Sequence, residues 1–340
     1  MPHKILIIQT AFIGDVILSS SLIESLHEKF PDAQIDFLLR KGNESLLETN
    51  PKLTNLWIWN KSRNKFSSLL RLLFKIRHQK YDFVINIQRF FNSGFLTAFS
   101  GAKFKVGFHS NPLSFLFSEK VTHQIPYQVG SEFKHEIERN FLLAQSAFPE
   151  LKQATPLPPK IYFNESDAQA ISQLDKSKKY FVIAPSSVWY TKQWHISKWI
   201  QLIQELREVG IVYLIGAPSD LKYTSEIPEH QNVINLCGKL SLRQSALLMK
   251  NASRVFVNDS APLHLASSVD AKTTAIFCST VPEFGYTPLA TNSKVIQLQP
   301  RLECMPCGLH GHKKCPKGHF DCALKIEIND VLETINITKS

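Results

Sequence analysis

Short runs of β-branched and aromatic residues alternate along the chain with amphipathic stretches, the pattern expected of parallel strands covered by helices. A first series predicts strands at Lys4–Gln9, Gln34–Leu39, Leu56–Trp59, Phe83–Ile87 and Phe104–Gly107. Helices are predicted over Asp15–Phe30, Phe66–Gln79 and Lys134–Phe148. Pro156-Leu157-Pro158-Pro159 reads as a linker, after which strands are predicted at Tyr180–Ala184, Val212–Ile215, Val233–Asn235, Arg254–Val257, Thr273–Phe277 and Lys294–Leu298. The expected fold is therefore α/β, with two doubly wound Rossmann-like domains over residues 1–155 and 160–340. In such folds the loops at the carboxyl ends of the strands bind ligands, here expected to face each other across a cleft.

Composition agrees with two cored domains: 340 residues, 44% of them apolar and 20% charged. With 13 Gly, 18 Pro and six Cys, collagen-like, disordered and disulfide-scaffold classes are excluded. Charge changes the picture more. Thirty-nine Lys and Arg less 29 Asp and Glu leave +10, a bias toward nucleic acid, an anionic membrane surface or a phosphorylated substrate. From Thr49 to Tyr81 there are eight basic residues and no acid, and from Phe83 to Ser118 again no acid. Lys4 followed by Ile5-Leu6-Ile7-Ile8 mimics a secretory signal, but Gly14-Asp15 interrupts it. No window has the roughly 18 apolar residues of a membrane span. The expected compartment is the cytoplasm, with reduced thiols.

Four segments carry candidate chemistry. The first strand leads through Thr10-Ala11-Phe12-Ile13 into Gly14-Asp15, where glycine allows a close turn and Asp15 either faces a ligand or caps the helix. One glycine of three excludes a dinucleotide fingerprint. The loop from Ala184 to Trp194 holds Ser186, Ser187 and Lys192 before a helix, suited to a diphosphate, although its tryptophans equally suit the core. Asn258-Asp259-Ser260-Ala261-Pro262-Leu263-His264 runs from a strand into a helix start. Its Asp, Ser and His are too close in sequence to form a catalytic triad, and anion binding is the better functional reading. Finally, Cys304-x2-Cys307-x7-Cys315-x6-Cys322 opens with metal-ligand spacing but lacks a second CxxC. A structural metal and a compact loop of packed thiols are both open.

In this order these segments resemble the family-9 glycosyltransferases, the ADP-heptose:lipopolysaccharide heptosyltransferases. The signposts are Gly14-Asp15, Lys192-Gln193-Trp194 and Asn258-Asp259-Ser260 with His264, and the Cys-rich stretch is similar to that of the type II enzymes. The resemblance spans nearly the whole chain. It implies a GT-B fold, with acceptor on the N-terminal domain and sugar nucleotide on the C-terminal one. It also implies an inverting transfer of heptose from ADP-heptose to the lipid A-core acceptor of lipopolysaccharide, without a catalytic cofactor.

Carried over by position, Asp15 is the general base and Lys192 the cation on the donor diphosphate. Thr10, Gly14, Ser186, Ser187, Trp194, Gly216, Gly238, Leu240, Asp259, Ser260, Ala261 and His264 would line the donor. The acceptor is expected on Arg89, Lys103 and Lys105, and the enzyme on the inner membrane surface as a peripheral protein. The chain departs from the family pattern at Ala261, where glycine is common, at His195, where proline is usual, and at Phe12, where a small polar residue is common. A nucleic-acid-binding protein would explain the charge but leaves the strand-loop-helix segments without a purpose. A transferase or epimerase using another nucleotide sugar is the nearer rival.

Overall fold

The computed structural model describes residues 3–61, 65–126 and 133–335, which divide into two compact units, residues 3–125 with 134–162, and residues 163–335 with 126 and 133. The first contains, in chain order, β1 (Lys4–Ile8), α1 (Ile13–Lys29), β2 (Gln34–Arg40), β3 (Asn55–Trp59), α2 (Lys65–Gln79), β4 (Phe83–Asn86), α3 (Phe91–Ala98), β5 (Phe104–Phe108), β6 (Glu119–Val121) and α4 (Glu136–Ala147). Its sheet is parallel throughout, in the order β3-β2-β1-β4-β5-β6. The strand order reverses between β1 and β4. Right-handed crossovers therefore put α1, packed with α4, on one face and α2, packed with α3, on the other. Leu69, Leu72, Leu73 and Ile76 are the buried stripe of α2 over Leu6, Ile8, Leu38 and Val84 of the sheet.

The proline stretch read as a linker is bound to α1. Leu157 N–H donates to Ser25 Oγ at 2.9 Å and Lys160 N–H to Ser20 Oγ at 2.9 Å, while Ser21 Oγ donates to the Leu157 carbonyl. Buried serines on a helix that is covered on several sides thus satisfy a strand-like segment that has no ladder of its own.

The second unit adds α5 (Glu165–Ala170), β7 (Tyr180–Ala184), α6 (Ile196–Leu206), β8 (Ile211–Leu214), α7 (Leu221–Thr224), β9 (Val233–Asn235), α8 (Leu242–Lys250), β10 (Arg254–Asn258), α9 (Ala261–Ser267), β11 (Thr273–Phe277), β12 (Ser293–Gln297), α10 (Asp321–Leu324) and α11 (Ile328–Leu332). Its parallel sheet runs β12-β11-β10-β7-β8-β9, the same winding, with the reversal between β7 and β10. Phe181, Ile183, Phe256 and Ile276 build its core with Trp194 and Trp199. The Cys-rich segment closes onto this core through Met305, Phe320 and Cys322. Among the described residues no helix is long and apolar enough to cross a membrane.

Candidate active site

In each unit several of the candidate residues, among them Asp15, Lys192 and Asp259, gather at the carboxyl end of the sheet where the strand order reverses, the place at which doubly wound sheets open a crevice. In the first unit β1 delivers Thr10 and then the start of α1. Gly14 lies inside that helix with an ordinary φ, so its freedom to turn is not used, contrary to the sequence reading. Asp15 occupies the third helical position, and its Oδ2 accepts the Phe12 N–H at 3.2 Å. Capping does not exhaust this carboxyl. Burial, with the Glu136 carboxylate nearby, pushes its pKa up to about 6, against the opposing pull of the Phe12 N–H and the Arg40 guanidinium.

Glu136, at the start of α4, stays ionised below its ordinary range despite burial. His123 Nε2 lies 3.1 Å from it and Arg139 Nη2 2.8 Å. A fixed negative charge is thereby kept beside Asp15. Position in sequence gave no hint of Glu136, His123 or Arg139, because Glu136 and Arg139 arrive through the packing of α4 on α1 and His123 from the segment after β6.

Thr10 lines a cavity of about 240 Å³ in this unit, with Trp59, Lys61, Phe90, Asn92 and Ser93. Lys61 Nζ donates to the Thr10 carbonyl at 2.7 Å and stands 4.8 Å from the centre of the Trp59 ring. Arg89 also lies beyond the carboxyl end of its strand, β4. Lys103 and Lys105 do not join this group. They stand before and at the start of β5, at the amino end of the sheet, and Lys103 is paired with Asp82 at 2.7 Å. Lys61 is the basic residue that sequence reasoning missed. Its signal was a cation directly after a strand within the acid-free stretch.

In the second unit the loop after β7 and the end of β10 are one construction. Asn258 Oδ1 accepts the Trp194 N–H at 2.8 Å, and its Nδ2 donates to the Pro185 carbonyl at 2.8 Å, so one side chain pins both ends of the Ser186–Lys192 loop. Lys192 Nζ meets Asp259 Oδ2 at 2.7 Å, and Thr280 Oγ1 donates to the same oxygen at 2.6 Å. Burial opposes ionisation of Asp259, but the Lys192 charge and hydrogen bond, with Thr280, hold it below the usual carboxylate range. An ammonium has three N–H donors, so this pairing leaves Lys192 with capacity for an anion.

Trp194, expected at the donor, is fully buried and packs edge-on against Trp199 at 5.1 Å. It belongs to the core. Ser186 and Ser187 remain partly exposed in the loop, and Ser260 and Ala261 open α9 with His264 one turn inside. His195, where the family usually has proline, caps α6 by accepting the Ser197 N–H on Nδ1 at 3.3 Å. Gly216 follows β8 and Gly238 follows β9, linked by a hydrogen bond from Gly238 N–H to the Gly216 carbonyl at 2.9 Å, with Leu240 two residues beyond. Gly238 has φ +73° and an added Cβ would stand 3.1 Å from the Pro218 Cα, so both conformation and space call for glycine.

The Cys-rich segment reaches this loop through its backbone. Thr191 N–H donates to the His312 carbonyl at 3.1 Å, His312 N–H donates to Thr191 Oγ1 at 2.7 Å, and Ser279 Oγ donates to the same hydroxyl at 3.1 Å. Of the two readings left open for the four cysteines, the arrangement favours packed thiols. Among the described residues no three His, Cys, Asp or Glu side chains converge to hold an ion. Burial and neighbouring thiols push Cys307 up to about 11 and Cys322 up to about 12. CxxC spacing brings two ligands together, but Cys322 is committed to the hydrophobic core.

Two successive doubly wound units of this winding have the GT-B architecture. The model of glycosyltransferase family 9 (heptosyltransferase) matches residues 69–318, and the chain belongs to that family. Lipopolysaccharide heptosyltransferase 3 of Escherichia coli is 28% identical over 285 residues, covering 79% of this chain and 82% of the relative. Among solved structures, E. coli ADP-heptose LPS heptosyltransferase II superposes with a TM-score of 0.80 at 21% identity, covering 98% of this chain and 97% of that one. An E. coli heptosyltransferase solved with ADP has a TM-score of 0.72 at 18% identity, with 98% of each chain covered.

Proposed function

We propose that the chain transfers heptose from ADP-heptose to the lipopolysaccharide inner core in a single inverting displacement. The observation that carries this reading is the Lys192–Asp259 pair joining the ends of β7 and β10, in the unit where the family resemblance implies the donor. Lys192 uses one N–H on Asp259 and offers the others to the diphosphate, and Ser186, Ser187, Ser260 and Ala261 supply polar groups around it. Gly216, Gly238 and Leu240 border the adenosine. As the anomeric bond breaks, the electron pair leaves with ADP, and groups aimed at that developing charge contribute roughly 10²–10³ each.

Asp15, in the first unit, takes the proton of the acceptor hydroxyl as its oxygen attacks the anomeric carbon. A carboxylate raised to about 6 remains ionised at neutral pH and is a better base than an ordinary one, a role worth about 10²–10⁴ in rate. The cavity with Thr10, Lys61 and Asn92 and the nearby Arg89 and Arg40 suit an anionic sugar acceptor. That acceptor is anchored by lipid A at the cytoplasmic face of the inner membrane, where the enzyme works as a peripheral protein. No catalytic metal is needed in this scheme.

The test is mass spectrometry of truncated core lipopolysaccharide after incubation with enzyme and ADP-heptose. A gain of one heptose is expected with ADP-heptose and not with UDP- or GDP-sugars. Turnover with a UDP- or GDP-sugar in preference would sink the donor assignment.

A further inference from the structure

The mechanism makes no use of the outer face of α2 and α3. On α2, Phe66, Leu70 and Phe74 follow one another at i, i+4 and i+8, with Phe66 77% and Phe74 67% exposed. They form a second apolar stripe beside the buried one of Leu69, Leu72, Leu73 and Ile76. Arg77 continues their line and donates to the Phe99 carbonyl at 2.9 Å, which ties this shoulder of α2 to the end of α3. Along α3 and its C-cap the pattern repeats: Phe91, Phe95 and Phe99 stand at i, i+4 and i+8 with adjacent ring centres 6.5 and 5.0 Å apart, and Phe91 and Phe99 are exposed. Two neighbouring helices thus expose five large apolar side chains on one unit, more than scattered surface residues account for.

The charges on α2 and just before α3 have one sign. Arg71, Lys75 and His78 are exposed on the side of α2 away from the sheet, and Arg89 precedes α3. The acid-free stretches from Thr49 to Tyr81 and from Phe83 to Ser118 contain both helices, and Asp82 between them is already paired with Lys103 at the amino end of the sheet. A water-facing aromatic stripe flanked by arginine and lysine is the arrangement of a helix that lies in a lipid–water interface. Rings enter the acyl boundary and cations meet phosphates.

We infer that the α2–α3 face docks on an anionic phospholipid bilayer, with Phe66, Leu70, Phe74 and Phe91 entering the interface and Arg71 and Lys75 contacting lipid phosphates. The inference rests on the reading of a lipid-anchored acceptor, which gives the enzyme reason to meet a bilayer.

The experiment is vesicle flotation of the full chain with phosphatidylglycerol–phosphatidylethanolamine vesicles and with phosphatidylcholine vesicles. Wild type should float with the anionic vesicles, less so at high salt, and poorly with phosphatidylcholine. The Phe66→Ser/Phe74→Ser variant should lose at least about tenfold in partitioning while keeping its circular dichroism and its transfer rate on a de-acylated, water-soluble acceptor. Arg71→Gln/Lys75→Gln should remove most of the salt dependence. Equal flotation of wild type and the serine variant overturns the proposal. So does a wild-type dimer in sedimentation that the serine variant dissolves without any vesicle binding, since the face would then belong to a second copy. Anionic-vesicle binding with no heptose transfer to any acceptor would overturn the acceptor reading and leave the docking face supported. Transfer to the soluble acceptor without wild-type vesicle binding would do the reverse.

Discussion

Replacing Asp15 by asparagine separates its two roles. The amide oxygen still accepts the Phe12 N–H, so the helix start is retained, but the base is gone and so is the cost of holding a charge in a poorly solvated place. With a folded pKa of about 6 against an ordinary 3.8, the carboxyl stabilises the fold fully below about pH 3.8. That stability is lost as the pH rises through about 6. At about 1.36 kcal/mol per unit, wild type should lose about 2 kcal/mol relative to Asp15→Asn between roughly pH 4.5 and pH 7.5. Partial exposure of the side chain reduces this to about 1 kcal/mol. Urea unfolding of both proteins at the two pH values reads the difference directly, because every other titrating group cancels. In parallel, kcat of the variant should fall about 10²–10⁴ with donor affinity retained, and wild-type kcat should rise as the pH passes about 6. If wild type instead gained stability over the variant with rising pH, Asp15 would be a low-pKa cap and the base assignment would be wrong.

Lys192→Met should cost about 3 kcal/mol by leaving Asp259 buried without its cation; adding Asp259→Asn should restore most of the Tm but none of the transfer activity. An unchanged Tm in the single variant would show that the pair is not formed. Gly238→Ala should destabilise by about 1–2 kcal/mol and weaken ADP binding in calorimetry, since it puts a side chain at positive φ against Pro218. Turnover should be the same with and without a strong chelator, and a chelator-sensitive rate for heptose transfer would contradict the proposed division of labour between Lys192 and Asp15.

All strands but β6 were legible because parallel strands buried on both faces are short, β-branched and bounded by turn residues, as in Lys4–Ile8 and Tyr180–Ala184, whereas β6 is a short, mostly exposed edge. Helix α3 was not. Its run of phenylalanines around Gly94 fits no strong helical preference, and its place is set by the sheet beneath it. Asp15, Lys192 and Asp259 could be picked out singly from their positions at strand ends. Their partners could not, because Lys192 and Asp259 meet only through the β7–β10 reversal, and Glu136 reaches the neighbourhood of Asp15 only through helix packing. Trp194 was misassigned for a related reason: in a loop that touches both solvent and core, sequence does not say which way the ring turns. Lys103 was misassigned by charge alone, which carries no information about which end of the sheet a residue occupies.

The clasp between Thr191 and His312 joins residues 121 apart. A ribosome therefore completes β7 and the lysine loop long before it adds the backbone that fixes that loop. The first unit has its own core by then, but the lysine loop stays without its brace until the Cys-rich segment has emerged and packed onto the second unit's core through Met305, Phe320 and Cys322. Nascent chains stalled before residue 304 would carry every residue of the lysine–aspartate pair and still lack the hold on the turn that presents it. The proposed donor site is thus completed late in synthesis.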